Sequence, residues 1–296
     1  MKTLLIGAEG QLGRALKRSL KARFAVTPVS RTECDLADGE ALRDLLENSR
    51  PDLIVNAAAF TAVDSAETHR DDAFAINATA PGIMAEWAEQ HDAALIHYST
   101  DYVFDGSGER PWREDDTPNP INVYGMSKLA GDRAVLASCA SALILRTAWL
   151  YSGAGRNFLN AILRQAEARE ELRVVADQFG APTTTTVLAE VTAEILQSLR
   201  EDLAAKLAAR GGCVNATTSG AVSWHRFAEA IVEEARHLGR DLAVCKIIPV
   251  SSGEFEVTAQ RPLNSRLSLD RLQDVFGIRP TDWHAALVRE LKDALG

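Results

Sequence analysis

The chain has 296 residues, of which 46% are hydrophobic and 25% are charged, and its formal net charge at pH 7 is -9. This composition is typical of a globular protein and excludes a disordered or fibrous one. The negative charge argues against a nucleic-acid partner, because phosphate binding requires a basic surface. The length predicts one large domain or two smaller ones.

The N-terminus and the cysteines indicate the compartment. The first apolar run stops at Gly7, so it is too short for a signal peptide or a membrane span. The four cysteines show no Cys-x-x-Cys spacing and the histidines do not cluster, so neither a zinc site nor a redox pair is indicated. These observations predict a cytoplasmic protein without membrane contact and without a bound metal.

The first half of the chain alternates short apolar runs with amphipathic stretches, which is typical of a parallel sheet wrapped by helices. Strands are predicted at 3–6, 24–29, 53–56, 94–98 and 143–146, and helices at 11–22, 39–48, 79–90 and 127–138. Because crossovers between parallel strands are right-handed, this order predicts an α/β, Rossmann-like, doubly wound parallel sheet.

After residue 150 the alternation is less regular. The pattern predicts a helix at 157–169, a loop at 177–183, a long helix at 187–209 and a strand at 213–217, followed by segments at 224–238, 246–250, 269–276 and 283–295. We therefore expect residues 1–150, together with about 185–218, to form a dinucleotide-binding domain. Residues from about 151 to 184 and from 219 to 296 would form an interleaved, smaller substrate-binding lobe.

Three glycines follow the first predicted strand and precede a helix, which is the setting that a dinucleotide site requires. Gly7 permits a tight turn, Gly10 admits the pyrophosphate, and Gly13 allows close packing of helix and strand. Gln11 and Leu12 begin the helix whose N-terminus would bind the phosphates. The Gly-x-x-Gly-x-x-Gly spacing resembles that of the extended short-chain dehydrogenase/reductases.

The end of the second predicted strand bears on the choice of cofactor. Ser30 and Arg31 stand where an NAD-specific site usually has an acid, and a guanidinium there would accommodate a 2′-phosphate. NADPH is therefore favoured, with NADH as the alternative cofactor, and the alternative for Arg31 is a solvent-exposed side chain without a cofactor contact. By the family resemblance, the remaining cofactor contacts are expected beside the adenine and along the third strand end, at Asp35, Leu36, Ala57, Ala58 and Ala59.

Tyr124 and Lys128 are four residues apart, so on a helix both side chains lie on one face. A cationic neighbour is expected to lower the pKa of the phenol and make it a usable proton donor. Thr100 follows the predicted strand at 94–98, and ligands bind at such strand ends. The family resemblance implies that Thr100, Tyr124 and Lys128 form the catalytic triad, with Tyr124 and Lys128 also contacting the cofactor; Ser99 is the alternative to Thr100.

Longer strings at 56–64, 99–106, 146–149, 177–183 and 261–267 resemble one branch, the dTDP-4-dehydrorhamnose reductase family. The resemblance implies NADPH-dependent reduction of the C4 ketone of dTDP-4-dehydro-β-L-rhamnose to dTDP-β-L-rhamnose, the last step of dTDP-rhamnose biosynthesis. The positions that would contact the dTDP-sugar are Val63, Asp64, Asp101, Tyr102, Trp149 and Arg261. A core role for Trp149 and a helix-capping role for Asp101 are the alternatives.

Some members of that family are dimers bridged by Mg²⁺ through glutamates. This chain has four threonines at 183–186, where such a carboxylate is expected, so a metal-bridged dimer is not favoured, and the homodimer and the role of Mg²⁺ are left open. Two other functions fit the same motifs. One is a reductase or epimerase of another sugar nucleotide, and the other is a non-catalytic regulatory subunit that binds NADP, against which the complete triad argues.

Overall fold

The computed structural model describes residues 1–295, and its centre is a six-stranded sheet in which every strand pairing is parallel. In chain order the strands are β1 (Lys2–Ile6), β2 (Ala25–Val29), β3 (Leu53–Asn56), β4 (Ala94–Thr100), β5 (Ala142–Thr147), β6 (Leu150–Tyr151), β7 (Glu171–Val175), β8 (Phe179–Gly180), β9 (Thr183–Thr184), β10 (Gly212–Asn215), β11 (Val222–Ser223), β12 (Lys246–Val250) and β13 (Asn264–Ser265). The order across the large sheet is β10-β5-β4-β3-β1-β2. This is the doubly wound parallel sheet that the sequence predicts.

Helices cover both faces of this sheet. In chain order they are α1 (Gln11–Lys21), α2 (Gly39–Ser49), α3 (Val63–Ala66), α4 (Arg70–Phe74), α5 (Ala80–Gln90), α6 (Val123–Ser138), α7 (Phe158–Ala168), α8 (Thr185–Leu199), α9 (Leu203–Arg210), α10 (Trp224–His237), α11 (Asp270–Phe276) and α12 (Trp283–Leu295). A π-helical turn, Ala75–Thr79, joins α4 to α5. Among the helices within residues 1–295, none combines the length and apolar character that crossing a membrane requires.

The buried core is divided by the sheet. Neighbouring residues of β1 point to opposite faces, so that Leu5 packs in the cluster formed with α1 and α8, whereas Leu4 packs in the cluster formed with α2 and α5. Strands β3, β4 and β5 are buried along their whole length, as expected for parallel strands covered on both faces. A third cluster, around Phe227, fills the smaller lobe formed by α7, α10, α12 and the β7–β12 pair.

Two predicted helices differ from the structure. The predicted long helix at 187–209 is wrong as a single element, because α8 ends at Leu199 and α9 begins at Leu203. Asp202 lies between them with a φ of +66°, in the left-handed region that aspartate tolerates better than most residues. The helix predicted to begin at residue 127 begins at Val123, because the Asn122 side chain caps it by accepting a hydrogen bond from the Gly125 N–H at 2.7 Å.

The strand predicted at 213–217 is β10, which pairs with β5 at the outer edge of the large sheet. Helix α8 packs against α1 on one face of that sheet. The segment that contains both elements thus adds to the structure built by the first 150 residues. The division into a dinucleotide-binding domain and an interleaved substrate-binding lobe stays a prediction.

Candidate active site

A cavity of about 750 Å³ lies at the carboxyl ends of the central strands. Most of the residues predicted for cofactor, catalysis and substrate line it, namely Gly7, Gly10, Gln11, Leu12, Ser30, Arg31, Asp35, Leu36, Ala57, Ala58, Ala59, Val63, Thr100, Asp101, Tyr102, Tyr124, Lys128 and Trp149. Three predicted residues, Gly13, Asp64 and Arg261, do not line it. The fold therefore brings together side chains that are up to about 140 residues apart in sequence, and this cavity is the first candidate site.

The glycine turn fits a bound dinucleotide. Gly7 has a φ of +78°, and a Cβ there would lie 2.7 Å from the backbone nitrogen of Ala58. A Cβ on Gly13 would lie 2.0 Å from the Gly7 carbonyl oxygen, so Gly13 acts through packing rather than by lining the cavity. No side chain caps the N-terminus of α1 at Gly10, which leaves backbone N–H groups free to bind an anion.

The end of β2 carries the groups that are predicted to contact the cofactor ribose. The Arg31 side chain is 80% exposed, and its guanidinium lies 3.5 Å from Asp35 Oδ2. Ser30 donates from its backbone N–H and its hydroxyl to Glu33, each at 2.7 Å, which lowers the pKa of that carboxyl. Because the one ion-pair contact of Arg31 is long and exposed, its guanidinium can turn toward a phosphate at little cost.

The side chains predicted to be catalytic come from β4 and α6. Because Asn122 caps α6 at its start, Tyr124 and Lys128 both lie within this helix, four residues apart on one face. Lys128 is 1% exposed, and its Nζ donates to the Tyr98 carbonyl oxygen at 2.7 Å. The Thr100 hydroxyl donates to Asp101 Oδ1 at 3.1 Å and accepts from the Tyr102 N–H at 3.1 Å. Ser99 lines the same cavity, so the choice between Ser99 and Thr100 stays a prediction.

The expected lowering of the pKa of Tyr124 is wrong for this structure. Burial raises the pKa of the phenol and outweighs the hydrogen bond with Thr100, which lowers it, while Asp101 and Asp132 raise it further. The Lys128 amine was expected to lower the pKa of Tyr124. Burial lowers the pKa of Lys128 itself to about 8, against the opposing effect of Asp132. Tyr124 thus keeps its proton at neutral pH, as a proton donor must.

Asp101 is buried beside the triad and does not cap the helical turn that it begins. Thr100 caps that turn, so the capping alternative for Asp101 is wrong. Burial raises the pKa of Asp101 to about 7, although hydrogen bonds with Ser265 and Thr100 oppose the increase. Its Oδ2 atom is buried without a protein partner within the described residues. The carboxyl group is therefore available to a polar group of a ligand.

A second cavity, of about 1290 Å³, adjoins the first. Four residues line both cavities: Tyr102, Asn157, Phe158 and Trp224. Arg261 lines the second cavity, and its Nη2 lies 2.6 Å from Asp64 Oδ2, which lowers the pKa of Asp64. This ion pair joins the segment after β3 to the C-terminal segment. The site thus offers a long, divided space, and Thr100 and Tyr124 line its smaller part.

Trp149 packs against another aromatic side chain and also lines the first cavity. Its φ is +48°, its ring stacks on that of Trp224 with centroids 3.5 Å apart, and a Cβ on Gly180 would lie 2.6 Å from it. Strained backbone of this kind persists only where surrounding packing fixes it. Because Trp149 also lines the first cavity, the packing role and the predicted substrate contact are compatible.

Sequence reasoning missed several residues that line these cavities, among them Cys34, Phe60, Arg156, Phe158 and Trp224. Four of them had a nearby signal, since Phe60 lies within the string 56–64, Cys34 adjoins Asp35, and Arg156 and Phe158 adjoin Asn157, the predicted start of a helix. The Asn157 amide donates to Gln11 Oε1 at 2.8 Å, so the glycine turn is joined directly to the loop that carries Arg156.

The threonine run offers no carboxylate. Thr184 caps α8, and Thr186 donates to Glu290 at 3.1 Å. Within residues 1–295, no three or more histidine, cysteine, aspartate or glutamate side chains are grouped so that they could hold a metal ion.

The chain is similar to known proteins over its whole described length. The family model described as the RmlD substrate binding domain matches residues 1–295. The dTDP-4-dehydrorhamnose reductase of Burkholderia thailandensis is 42% identical, with 100% of this chain and 99% of the relative covered. The chain belongs to the dTDP-4-dehydrorhamnose reductase family.

Solved structures of this family agree. The Clostridium acetobutylicum dTDP-4-dehydrorhamnose reductase superposes with a TM-score of 0.90 at 34% identity, and 99% of each chain is covered. The Bacillus anthracis enzyme, solved in complex with NADP, gives a TM-score of 0.88 at 31% identity with the same coverage. The predicted family, the fold class and the assignment as a nicotinamide-dependent oxidoreductase are confirmed.

Proposed function

We propose that this chain reduces the C4 ketone of dTDP-4-dehydro-β-L-rhamnose to dTDP-β-L-rhamnose, with NADPH as the preferred reductant. The observation that carries the proposal is the position of Tyr124, Thr100 and Lys128 in a cavity that adjoins a second, larger one. The first cavity has the glycine turn that fits a dinucleotide, and the second has the volume for a nucleotide diphosphate. A bound NADPH would supply the hydride.

The chain's own residues would orient the ketone and supply the proton. Thr100 and Tyr124 place two hydroxyl groups where the ketone oxygen would gain negative charge, and Tyr124, protonated at neutral pH, would donate to it. Asp101 and Tyr102 would contact the sugar. Arg261, in the second cavity, would bind the diphosphate through charge-assisted hydrogen bonds.

The test is NADPH oxidation with enzymatically generated dTDP-4-dehydrorhamnose, with identification of the product. We expect one NADPH consumed for each dTDP-rhamnose formed. Turnover without net NADPH consumption would indicate an epimerase, and oxidation with only another ketosugar would change the substrate. A folded, NADPH-binding protein that oxidises nothing would favour the regulatory subunit.

The preference for NADPH is tested at Arg31. We expect Arg31→Ala to raise the KM for NADPH about tenfold, the loss expected for a charged hydrogen bond, and to leave the KM for NADH unchanged. Arg43→Ala is the matched control, because Arg43 is also exposed and pairs with Glu86 away from the cavity. Equal changes in both KM values would contradict a 2′-phosphate contact.

The remaining expectations concern the state of the protein in the cell. A cytoplasmic location and a homodimer that needs no Mg²⁺ are proposed here. Equilibrium sedimentation with and without a chelator tests the second. A dimer that persists in chelator supports it, whereas a monomer, or a dimer that dissociates in chelator, contradicts it.

A further inference from the structure

A buried row of hydrogen-bonding side chains leads from β3 to Lys128. Asn56 and His97 are paired neighbours of β3 and β4, and both are fully buried. Asn56 Nδ2 lies 3.1 Å from His97 Nδ1, and His97 Nε2 lies 3.2 Å from Lys128 Nζ. Neither Asn56 nor His97 is among the site residues predicted from the sequence, and neither lines the cavities.

The direction of these hydrogen bonds follows from one backbone group. The Ala58 N–H lies 3.2 Å from Asn56 Oδ1, and because an N–H can only donate, the amide oxygen must face Ala58. The amide NH₂ therefore faces His97 and donates to Nδ1. Burial and the nearby amine hold the pKa of His97 well below its usual range, so the ring is neutral. Its single proton is then on Nε2, the atom that faces Lys128.

This proton opposes a charge on Lys128. An ammonium group has three N–H donors and no acceptor, so N–H would face N–H across the 3.2 Å contact. A neutral amine has a lone pair that accepts from Nε2–H, and it can still donate to the Tyr98 carbonyl oxygen at 2.7 Å. The row of Ala58, Asn56 and His97 therefore selects the neutral amine.

Other charged groups near Lys128 are largely balanced among themselves. Asp132, one turn along α6, favours the ammonium form, but it also forms a buried ion pair with Arg146 of β5 at 3.1 Å. Tyr124, on the same face of α6, is neutral at physiological pH, and Asp101 directly follows Thr100, the last residue of β4. Burial is the largest cause of the lowered pKa of Lys128, and among the groups in direct contact with the amine, His97 is the one whose N–H disfavours the charge.

We propose that His97 is a positioning residue for the reaction: it fixes Lys128 in place, and its Nε2–H disfavours the ammonium form of the amine. This inference rests on the proposed reductase activity. If the charged amine supports turnover by holding the cofactor ribose and stabilising the tyrosinate, activity must fall as the pH rises and Lys128 loses its proton. His97 then determines at which pH that fall occurs.

The first test needs no turnover. In protein labelled with ¹⁵N-histidine, long-range ¹H–¹⁵N correlation spectra distinguish the two neutral tautomers and the imidazolium form. The His97 signal is identified as the one of the six histidine signals that is retained when each of the other five histidines is replaced by glutamine in turn. We expect the Nε2–H tautomer, unchanged from pH 6 to pH 9. An Nδ1–H tautomer, or an imidazolium at any pH in this range, would overturn the proposal whether or not the reductase assay succeeds.

The second test is the pH profile of kcat. In His97→Gln the amide oxygen can replace Nε2–H and accept from the ammonium group, so the basic limb should move upward by about one pH unit. A lower kcat with the basic limb unmoved would indicate a merely structural role and overturn the proposal. His91→Gln is the matched control, because His91 stacks on Trp87 at the protein surface, and its profile should coincide with that of the wild type. Failure of His97→Gln to fold leaves the wild-type tautomer as the deciding result, whereas an inactive wild type would contradict the proposed function.

Discussion

The two cavities are built in different ways. The smaller cavity is formed by glycines, alanines and hydroxyl residues at the ends of parallel strands of one sheet, so the hydrogen-bonded register of β1, β3 and β4 fixes their relative positions. The larger cavity is formed by side chains of α7, β7 and the segment that follows β12. The first depends on backbone geometry, whereas the second depends on contacts between distant segments. Substitutions in the two cavities should therefore have different effects on stability and binding.

The largest effect is expected in the smaller cavity, at the proton donor. Tyr124→Phe removes the phenolic hydroxyl and keeps the ring, so kcat should fall by about 10²- to 10⁴-fold, the contribution typical of general acid catalysis. NADPH binding, measured by fluorescence titration, should weaken far less than kcat falls, because the glycine turn does not depend on the hydroxyl. A variant that retains full reductase activity would show that another group donates the proton.

The smaller cavity was also the part that the sequence predicted best. Its signals are local patterns, namely the glycine spacing, the segment at 57–59 and the helical spacing of Tyr124 and Lys128. The pairing of the strands then determines where each of them lies. The charge states were not predictable in the same way. The expected lowering of the pKa of Tyr124 failed because burial, a property of the whole fold, raises it and outweighs the hydrogen bond with Thr100.

The larger cavity had weaker signals. Phe158 and Trp224 belong to helices whose apolar faces also fill the core around Phe227, so spacing alone could not show that these two residues reach a cavity. The break between α8 and α9 escaped detection for a related reason. It depends on a left-handed residue, Asp202, in a stretch whose composition favours helix on both sides.

The second prediction tests the backbone character of the smaller cavity. Gly13→Ala would place a Cβ 2.0 Å from the Gly7 carbonyl oxygen, and neither backbone segment can yield without moving the turn. We expect a loss of about 1–3 kcal/mol in the free energy of unfolding, as for overpacking, together with weaker NADPH binding. Chemical denaturation and fluorescence titration measure the two effects.

Gly10→Ala is the matched control for that variant. Its Cβ would lie 3.2 Å from the same carbonyl oxygen, so a displacement of a few tenths of an ångström would relieve the contact. The expected loss of stability is therefore smaller than for Gly13→Ala. Equal losses in the two variants would mean that glycine is needed for its flexibility rather than for the close approach.

The third prediction concerns the larger cavity. Arg261→Ala removes the guanidinium that lines it and should raise the KM for the sugar nucleotide about tenfold, with little change in the KM for NADPH. Arg226→Ala is the control, because that exposed arginine pairs with Glu229 on α10 and lines neither cavity. An increase in the KM for NADPH that matches the increase for the sugar nucleotide would contradict the separate roles of the two cavities.

The smallest effect is expected at the ion pair that links the two regions. The Asp64 carboxylate accepts from Arg261 at 2.6 Å and from the Ala259 N–H at 3.1 Å, and both bonds hold its pKa below the usual value. A lowered folded-state pKa stabilises the fold at pH values above the unfolded pKa of about 3.9, and this stabilisation disappears as the pH falls through the folded value. The Asp64 side chain is 48% exposed, so solvent screening limits the contribution to about 0.2–1 kcal/mol.

Asp64→Asn isolates the charge in that contribution, because an amide oxygen can still accept from the Ala259 N–H. The free energy of unfolding of the variant should be lower than that of the wild type at pH 6, and the difference should shrink as the pH falls below about 3.9 and through the lowered folded-state pKa of Asp64. Urea denaturation at a series of pH values measures this difference. A deficit that persists undiminished at pH 3 would show that the link depends on the shape of the side chain and not on its charge, and the larger cavity would then be held in place by packing alone.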